Sequence, residues 1–351
     1  MAKRKPAQVH GILCVDKPLG LTSRAVVNQV GRLLGERRAG HAGTLDPAAS
    51  GMLLVALGEA TKAMRWLTAA AKTYETTIAL GTATLSDDAD GEVIRTAPVS
   101  DGLTAAQVLA ALPQPGWIAQ VPPAVSALLQ DGVRDHERVR RGELVVRPAR
   151  QVRLDAIAVL GVDAGEVRLR LTCGAGFYVR SLARDLGEAL GTAAHVRTLR
   201  RTEAGGCTLA QAVELPRLAA MDPDERQSRL VSLEAALAVC LPSVWVDAAT
   251  ELALRQGKLV EVPEGALPAD LVAQVKAPRP ADDTDLEAAG EEADGPDVPA
   301  LLVLAANGTA VCVAEVVRLP EGLRLKVVRG FVPPVEPMQT SPTAPATTLS
   351  P

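Results

Sequence analysis

Aromatic side chains are almost missing from this sequence. Phe, Trp and Tyr make up 2% of 351 residues, and only two are tyrosines, Tyr74 and Tyr178. A core without rings must be packed from Leu, Val and Ala, and the 48% apolar content allows that. Cysteine patterns are missing too. Cys14, Cys173, Cys207, Cys240 and Cys312 form no CxxC pair, and none stands at zinc-finger spacing from a histidine. This argues against a disulfide framework and a metal site. Dispersed thiols of odd number read as buried groups in a reducing compartment. The chain shows no glycine-rich dinucleotide or phosphate-loop pattern. It has no apolar run of membrane-spanning length, and "MAKRK" is not followed by a secretory apolar core. The expectation is a cytoplasmic protein with no membrane contact.

What is present begins with charge. The formal net charge is −4, yet residues 282–297 hold eight acids and no base. Set that segment aside and the remainder is +4. Its composition is that of a disordered insertion, placed at 277–298. Arginines cluster instead. Arg134, Arg138, Arg140, Arg141, Arg147, Arg150 and Arg153 stand close together, and "HVRTLRR" adds Arg197, Arg200 and Arg201. A solvated charged face explains such runs, and so does a grip on phosphates and bases.

Periodicity gives the organisation. "VHGILCVDKP" reads as a strand. "TSRAVVNQVGRLLG" reads as a helix capped by Thr22 or Ser23, with Val26, Val27 and Val30 inward. "MLLVAL" and "KTYETTIALGTAT" read as strands, "GEATKAMRWLTAAA" as a helix between them, and "TAAQVLAAL" as another helix. "GEVRLRLTCGAG" is a strand ending in glycines, and "FYVRSLARDLGEALG" a helix with Val179, Leu182, Leu186 and Leu190 inward. This predicts an α+β domain over 9–235, with a Pro-rich stretch at 113–123 leading into an Arg-rich loop over 121–153. Beyond Cys240, "SVWVDAATELALRQGKLVEV" and "ALLVLAANGTAVCVAEVVRLPEGLRLKVVRGFV" read as short strands with Gly turns. They predict a small β-rich domain over 240–335, followed by a Pro/Thr-rich disordered tail at 336–351.

The residues able to carry chemistry are few. "HAGTLDPAASG" places Asp46 before Pro47, which drives it toward an extended conformation, among neighbours too small to crowd a planar ligand. An Asp-Pro turn would look the same. A nucleophilic carboxylate, however, must be ionised and held by a donor. Arg180, at a helix start, is a fitting partner. Tyr74 and Tyr178 lie near element ends, where a ring can stack on a base for roughly 1–3 kcal/mol. His41 opens the Asp46 loop.

Taken in order, "GILCVDKPLGLTS", "RAGHAGTLDPAASGMLLVALGEATK", "KTYETTIALG", "DDADGEV" and "CGAGFYVRSLARDLGEALGTAAHVRTLRR" resemble the TruB family of tRNA pseudouridine synthases, over about residues 9–215. The resemblance implies a mixed, largely antiparallel sheet in the catalytic domain and a small PUA-like RNA-binding domain after it. It implies conversion of the T-loop uridine, position 55 of tRNA, to pseudouridine, with no cofactor and no metal. It gives Asp46 the role of nucleophile, toward ribose C1′ or uracil C6. Tyr74 stacks on the base and helps remove the C5 proton, and Arg180 pairs with Asp46. Tyr178 and the backbone of Leu199 line the uracil pocket, and His41 contacts the RNA. The partner is the T arm of tRNA, bound by a monomer that needs no protein partner. Arg134, Arg138, Arg140, Arg141, Arg197 and Arg200 are further RNA-contact candidates, the first four within the family's thumb loop.

The thumb departs from the family pattern. Val125 stands where the family has Tyr, Leu129 where it has Lys, and His136 where an aromatic is usual. Two other readings remain open: an RNA-binding protein that folds tRNA without chemistry, and the guide-RNA-dependent relative that works inside a multi-protein particle.

Overall fold

Strand-forming runs rich in Val, Leu, Ile and Thr dominate the chain, and among the described residues they build two large sheets and two small hairpins. The structure, a computed structural model, describes residues 9–125, 129–130, 133–134, 138, 141, 143, 147–275, 300–332 and 348–349. In chain order the first region holds β1 (Gly11–Lys17), α1 (Ser23–Leu33), β2 (Ala39–Ala42), β3 (Ala49–Leu57), α2 (Met64–Ala69) and β4 (Lys72–Leu80). A hairpin follows, β5 (Thr82–Thr84) with β6 (Val93–Thr96), then α3 (Ala105–Ala111) and β7 (Gly116–Gln120). A two-residue hairpin, β8 (Leu129–Gln130) with β9 (Val133–Arg134), precedes β10 (Arg150–Asp163), β11 (Glu166–Cys173) and α4 (Val179–Ala189). β12 (Ala194–Ala204), β13 (Cys207–Thr208) and β14 (Val213–Glu214) complete it.

Ten of these strands form one sheet in the order β14-β1-β3-β12-β4-β11-β10-β7, with β2 beside β3 and β13 beside β12. Its pairings are antiparallel except β1 with β14 and β3 with β12. β3 and β1 are buried on both faces. One face takes the valines of α1 against Leu13, Val15, Leu53 and Val55. The other packs Ile12, Met52 and Leu54 on Leu67 and Leu237. Farther along, Leu182 and Leu186 of α4 and Val108 of α3 cover Ile78, Leu169 and Leu171. The expected α+β class with a mixed, largely antiparallel sheet is therefore what forms.

The second sheet has the order β16-β19-β18-β17-β15-β20. Its strands are β15 (Ser243–Val246), β16 (Val260–Val262), β17 (Ala300–Ala305), β18 (Ala310–Leu319), β19 (Gly322–Gly330) and β20 (Thr348–Leu349). Leu302, Leu304, Val313 and Phe331 carry it onto the first sheet's core. The acidic segment 282–297 lies outside the described residues, as does the tail apart from Thr348–Leu349.

Three local readings are corrected. The helix expected over 58–71 starts as a 3-10 turn, Gly58–Ala63, and only Met64–Ala69 is α-helical. Gly58 sits at φ 56°, and no side chain caps the turn's start, so the chain tightens before it can run as α-helix. The Pro-rich stretch contains β7, an exposed edge strand paired to β10. Within the region read as strands, Ala248–Arg255 is a helix, because the Asp247 carboxylate accepts from the Thr250 amide at 2.8 Å. No helix among the described residues is long and apolar enough to cross a membrane.

Candidate active site

The loop between β2 and β3 carries Asp46, and it is fastened from two sides. Thr22 caps α1, its hydroxyl accepting from the Ala25 amide at 3.1 Å. That frees the neighbouring Ser23, which is buried. Its hydroxyl accepts from the Leu45 amide and donates to the Leu45 carbonyl, both at 2.9 Å. The Gly20 amide donates to the Pro47 carbonyl at 2.8 Å, and the Ala49 amide closes the turn on the Asp46 carbonyl at 3.0 Å.

From the other side comes Arg201, whose side chain is completely buried. Its Nε donates to the Met52 carbonyl at 2.7 Å, Nη2 to Gly43 at 3.2 Å and Nη1 to Thr44 at 3.5 Å. One guanidinium thus holds both ends of the Asp46 loop. The sheet makes this possible: β12 runs parallel to β3, with Leu199 opposite Ala49 and Arg201 opposite Gly51. Gly51 has φ 103°, and a Cβ there would lie 2.2 Å from the Arg201 carbonyl oxygen, so only glycine fits.

Arg180, in the first turn of α4, reaches the carboxylate itself. Its Nη2 stands 2.9 Å from Asp46 Oδ2. The guanidinium side chain is only 8% exposed, whereas the Asp46 side chain is 39% exposed. The cation is walled in and the anion is open to whatever enters. Three other groups hold Arg180 still. Nη1 donates to the carbonyls of Ser86 at 2.8 Å and Val125 at 3.0 Å, and Nε lies 3.7 Å from Asp88 Oδ2. Asp88 is fixed in turn by the Ser86 hydroxyl and the Asp90 amide. The "DDADG" turn is thus the mould for Arg180. Next to it, Asp87 adopts φ 59°, and burial pushes its carboxyl up to about 6 despite Arg184 at 3.2 Å.

Tyr74 is the β4 register partner of Arg201 and is almost fully buried. Burial pushes its phenol up, Arg201 pulls it down, and the Asp46 charge is also within reach. Leu199 pairs with Thr76 on one side and Ala49 on the other, which sets its backbone at the exit of the loop. His41 is half-buried, and its Nδ1 has no hydrogen-bond partner among the described residues. Burial, then Arg201 and Arg24, hold its ring below the usual histidine range. Tyr178 is the cap residue of α4, locked by a reciprocal pair with Gln120 at 2.8 and 3.0 Å, and the Arg150 guanidinium lies 5.1 Å over its ring.

Two lysines were not expected here. Lys17 is completely buried and donates to the Pro18 and Leu21 carbonyls at 2.9 and 2.8 Å. Burial pulls it down to about 8, with Asp46 opposing and Arg201 assisting. Lys72 donates to the Thr68 and Ala70 carbonyls at 2.7 and 2.6 Å, and burial followed by Arg201 pulls it to about 8 as well. Its Cε would be 3.0 Å from a Cβ on Gly43, so it presses on the Asp46 loop from beneath.

The arginines expected to contact RNA stand in different settings. Arg197 is paired with Glu166, Arg200 forks onto Asp16 at 3.1 and 2.6 Å, and Arg138 meets Glu143 at 3.2 Å. Arg141 is exposed, the backbone of Arg134 lies in β9, and Arg140 and His136 lie outside the described residues. The Val125 departure touches Arg180 through its carbonyl, which any side chain leaves in place. Among the described residues no cluster of three or more His, Cys, Asp or Glu is placed to hold a metal ion.

Two family models match end to end. The TruB family pseudouridylate synthase N-terminal domain matches residues 31–179, and the tRNA pseudouridylate synthase B C-terminal domain matches 180–238. A tRNA pseudouridine synthase B of Cupriavidus metallidurans is 44% identical over 75% of this chain and 84% of its own length. That of Paracoccus denitrificans is 44% identical over 68% of this chain and 80% of its own. Among solved structures, a chain of an H/ACA RNP bound to a substrate RNA containing 2′-deoxyuridine superposes with TM-score 0.64 at 22% identity, covering 93% of this chain and 86% of that one. A chain of an archaeal box H/ACA Nop10–Cbf5 complex gives 0.64 at 21%, covering 95% and 90%. These two share the fold. The matched models and the close relatives go further: this chain belongs to the TruB family of pseudouridylate synthases.

Proposed function

We propose that the protein isomerises a uridine of tRNA to pseudouridine, at T-loop position 55, with Asp46 as the nucleophile. One observation carries this: a walled-in guanidinium, Arg180, at 2.9 Å from a carboxylate that stays open to solvent. A structural ion pair has no need of such asymmetry. A nucleophile needs an oriented charge with one side free.

The uridine is flipped out of the T loop, at a cost of a few kcal/mol. It enters between the Asp46 loop, Tyr74 and the start of α4. Asp46 attacks ribose C1′ or uracil C6. The C1′–N1 bond breaks, the uracil turns, a C1′–C5 bond forms, and the bond to Asp46 breaks to restore the carboxylate. The C5 proton leaves and N1 ends protonated, so atoms balance and no electrons are gained or lost. Nothing in this sequence of bonds calls for a cofactor. Arg180 keeps the carboxylate aimed. Tyr74 stacks on the ring and takes part in removing the C5 proton. Tyr178 and the Leu199 backbone line the uracil, and His41 meets the flanking RNA. The RNA-contact arginines are those of the thumb, with Arg197 and Arg200 behind them, and the second sheet is the PUA-like RNA binder. The 44% relatives favour a stand-alone cytoplasmic monomer over a guide-RNA enzyme, since the H/ACA neighbours stand at 21–22%.

The test is tritium release from tRNA carrying 5-³H-uridine. Wild type releases tritium, and Asp46→Asn releases none while binding tRNA within about threefold of wild type. Normal release by Asp46→Asn removes the nucleophile assignment. No release by either, with binding intact, leaves an RNA-folding protein.

A further inference from the structure

α1 has a second face. Val26, Val27 and Val30 point into the core, so Arg24, Asn28 and Arg32, each four residues apart, form a stripe on the outside. Gly31 and Gly35 let the following loop fold back on that stripe. The Glu36 amide donates to the Gly31 carbonyl at 2.9 Å, and a Cβ on Gly31 would meet the Glu36 carbonyl at 2.7 Å. The result is a groove of about 470 Å³, lined by Arg24, Asn28, Arg32, Glu36 and Arg37 among others.

Its charge is one-sided. The Glu36 side chain is buried, with its oxygens accepting from the Val9 and Arg38 amides at 3.4 and 2.8 Å. Arg24, Arg32 and Arg37 are exposed, and none of the three meets an acid among the described residues. This sets them apart from Arg138, Arg197 and Arg200, whose charges are already met by acids. The groove also adjoins the site. Arg24 follows Ser23, which holds Leu45, and it acts electrostatically on His41. Ala39, on the groove wall, opens the strand that carries His41.

Resting on the proposed tRNA reading, we infer that this groove binds backbone phosphates of the substrate RNA where it leaves the pocket past His41. Arg32 lies eight helical positions beyond Arg24, about 12 Å along the axis, so the stripe follows a strand and does not clasp a single ion. Arginine forks suit phosphate oxygens.

The experiment measures tRNA binding by the full-length protein at several salt concentrations, for wild type, Arg24→Ala/Arg37→Ala and Arg24→Lys/Arg37→Lys. The alanine pair is expected to weaken binding about tenfold and to lower the slope of log Kd against log salt by about 1.5–2, with the lysine pair restoring most of both. Unchanged affinity and slope in the alanine pair overturn the inference. Equal loss in both pairs overturns it too, since it points to a fold defect in place of a lost charge. Wild type that does not bind tRNA at all refutes the parent reading, and is read before any variant.

Discussion

The two sheets of this protein treat buried charge in opposite ways. The first hides Lys17, Lys72, Arg180 and Arg201, each less than a tenth exposed, along with Asp87 and Asp88. The second, among its described residues, buries apolar side chains and a single charged one, Glu315. Both fold from Leu, Val and Ala with the same scarcity of rings. Burying an ion without a full set of partners costs several kcal/mol. A sheet accepts that cost where something must be held in one geometry, and the four cations of the first sheet all surround one loop.

The comparison breaks most visibly at Arg180. Arg180→Met should lower turnover about a thousandfold or more, because the open carboxylate loses its aim and Asp88 loses its partner. Single-turnover rates at saturating tRNA read this, and a loss below tenfold would show that the pair is structural. Arg201→Met comes next. It strips donors from the Gly43, Thr44 and Met52 carbonyls, at about 1–3 kcal/mol each where no water replaces them. Turnover should fall at least tenfold, and Arg201→Lys should not restore it, since one ammonium cannot span three carbonyls. Leu302→Ala, in the second sheet, sharpens the contrast. It should cost about 2–5 kcal/mol in urea titration, yet leave turnover unchanged below its unfolding midpoint.

The lysines give a smaller, pH-dependent effect. Lys72 sits near 8 in the fold and at 10.5 when free. Between those values the unfolded chain holds the proton that the folded chain has released, so stability rises with pH across that window. Lys72→Met should shrink this rise and leave the part that Lys17 gives over the same window, seen as a smaller gain in urea midpoint between neutral pH and pH 10. Smallest is the half-buried Asp16–Arg200 fork. Asp16→Asn should shift stability by no more than about 1 kcal/mol, and less in high salt.

Much of the first sheet was legible because strand and helix periods differ, and α1, β4, β11 and α4 follow them. Asp46, Arg180 and Tyr74 were legible through the resemblance, and the fold brings the three together. Arg201 and Lys17 were not. An Arg in "LRR" or a Lys before Pro18 reads as surface, and only the register of β12 on β3, or the course of β1, shows that it points inward. Gly51 was the available signal: a glycine in an apolar strand marks a close backbone approach. Ser23 was hidden by Thr22, since either fits a helix cap and only one is needed. The helix Ala248–Arg255 was hidden by its shortness, which leaves too few turns for a period to emerge.

Arg201 also bears on who keeps a proton. Lys17, Lys72 and His41 are all drawn toward their neutral forms by burial, and Arg201 adds to that pull in each case. Arginine alone among them never yields its own. The arrangement is a hierarchy, with one permanent cation and three groups that defer to it. A lysine in that position would join the deference and leave no fixed charge among them. With arginine there, one charge of the interior is a property of the chain, and only the groups that defer to it follow the medium.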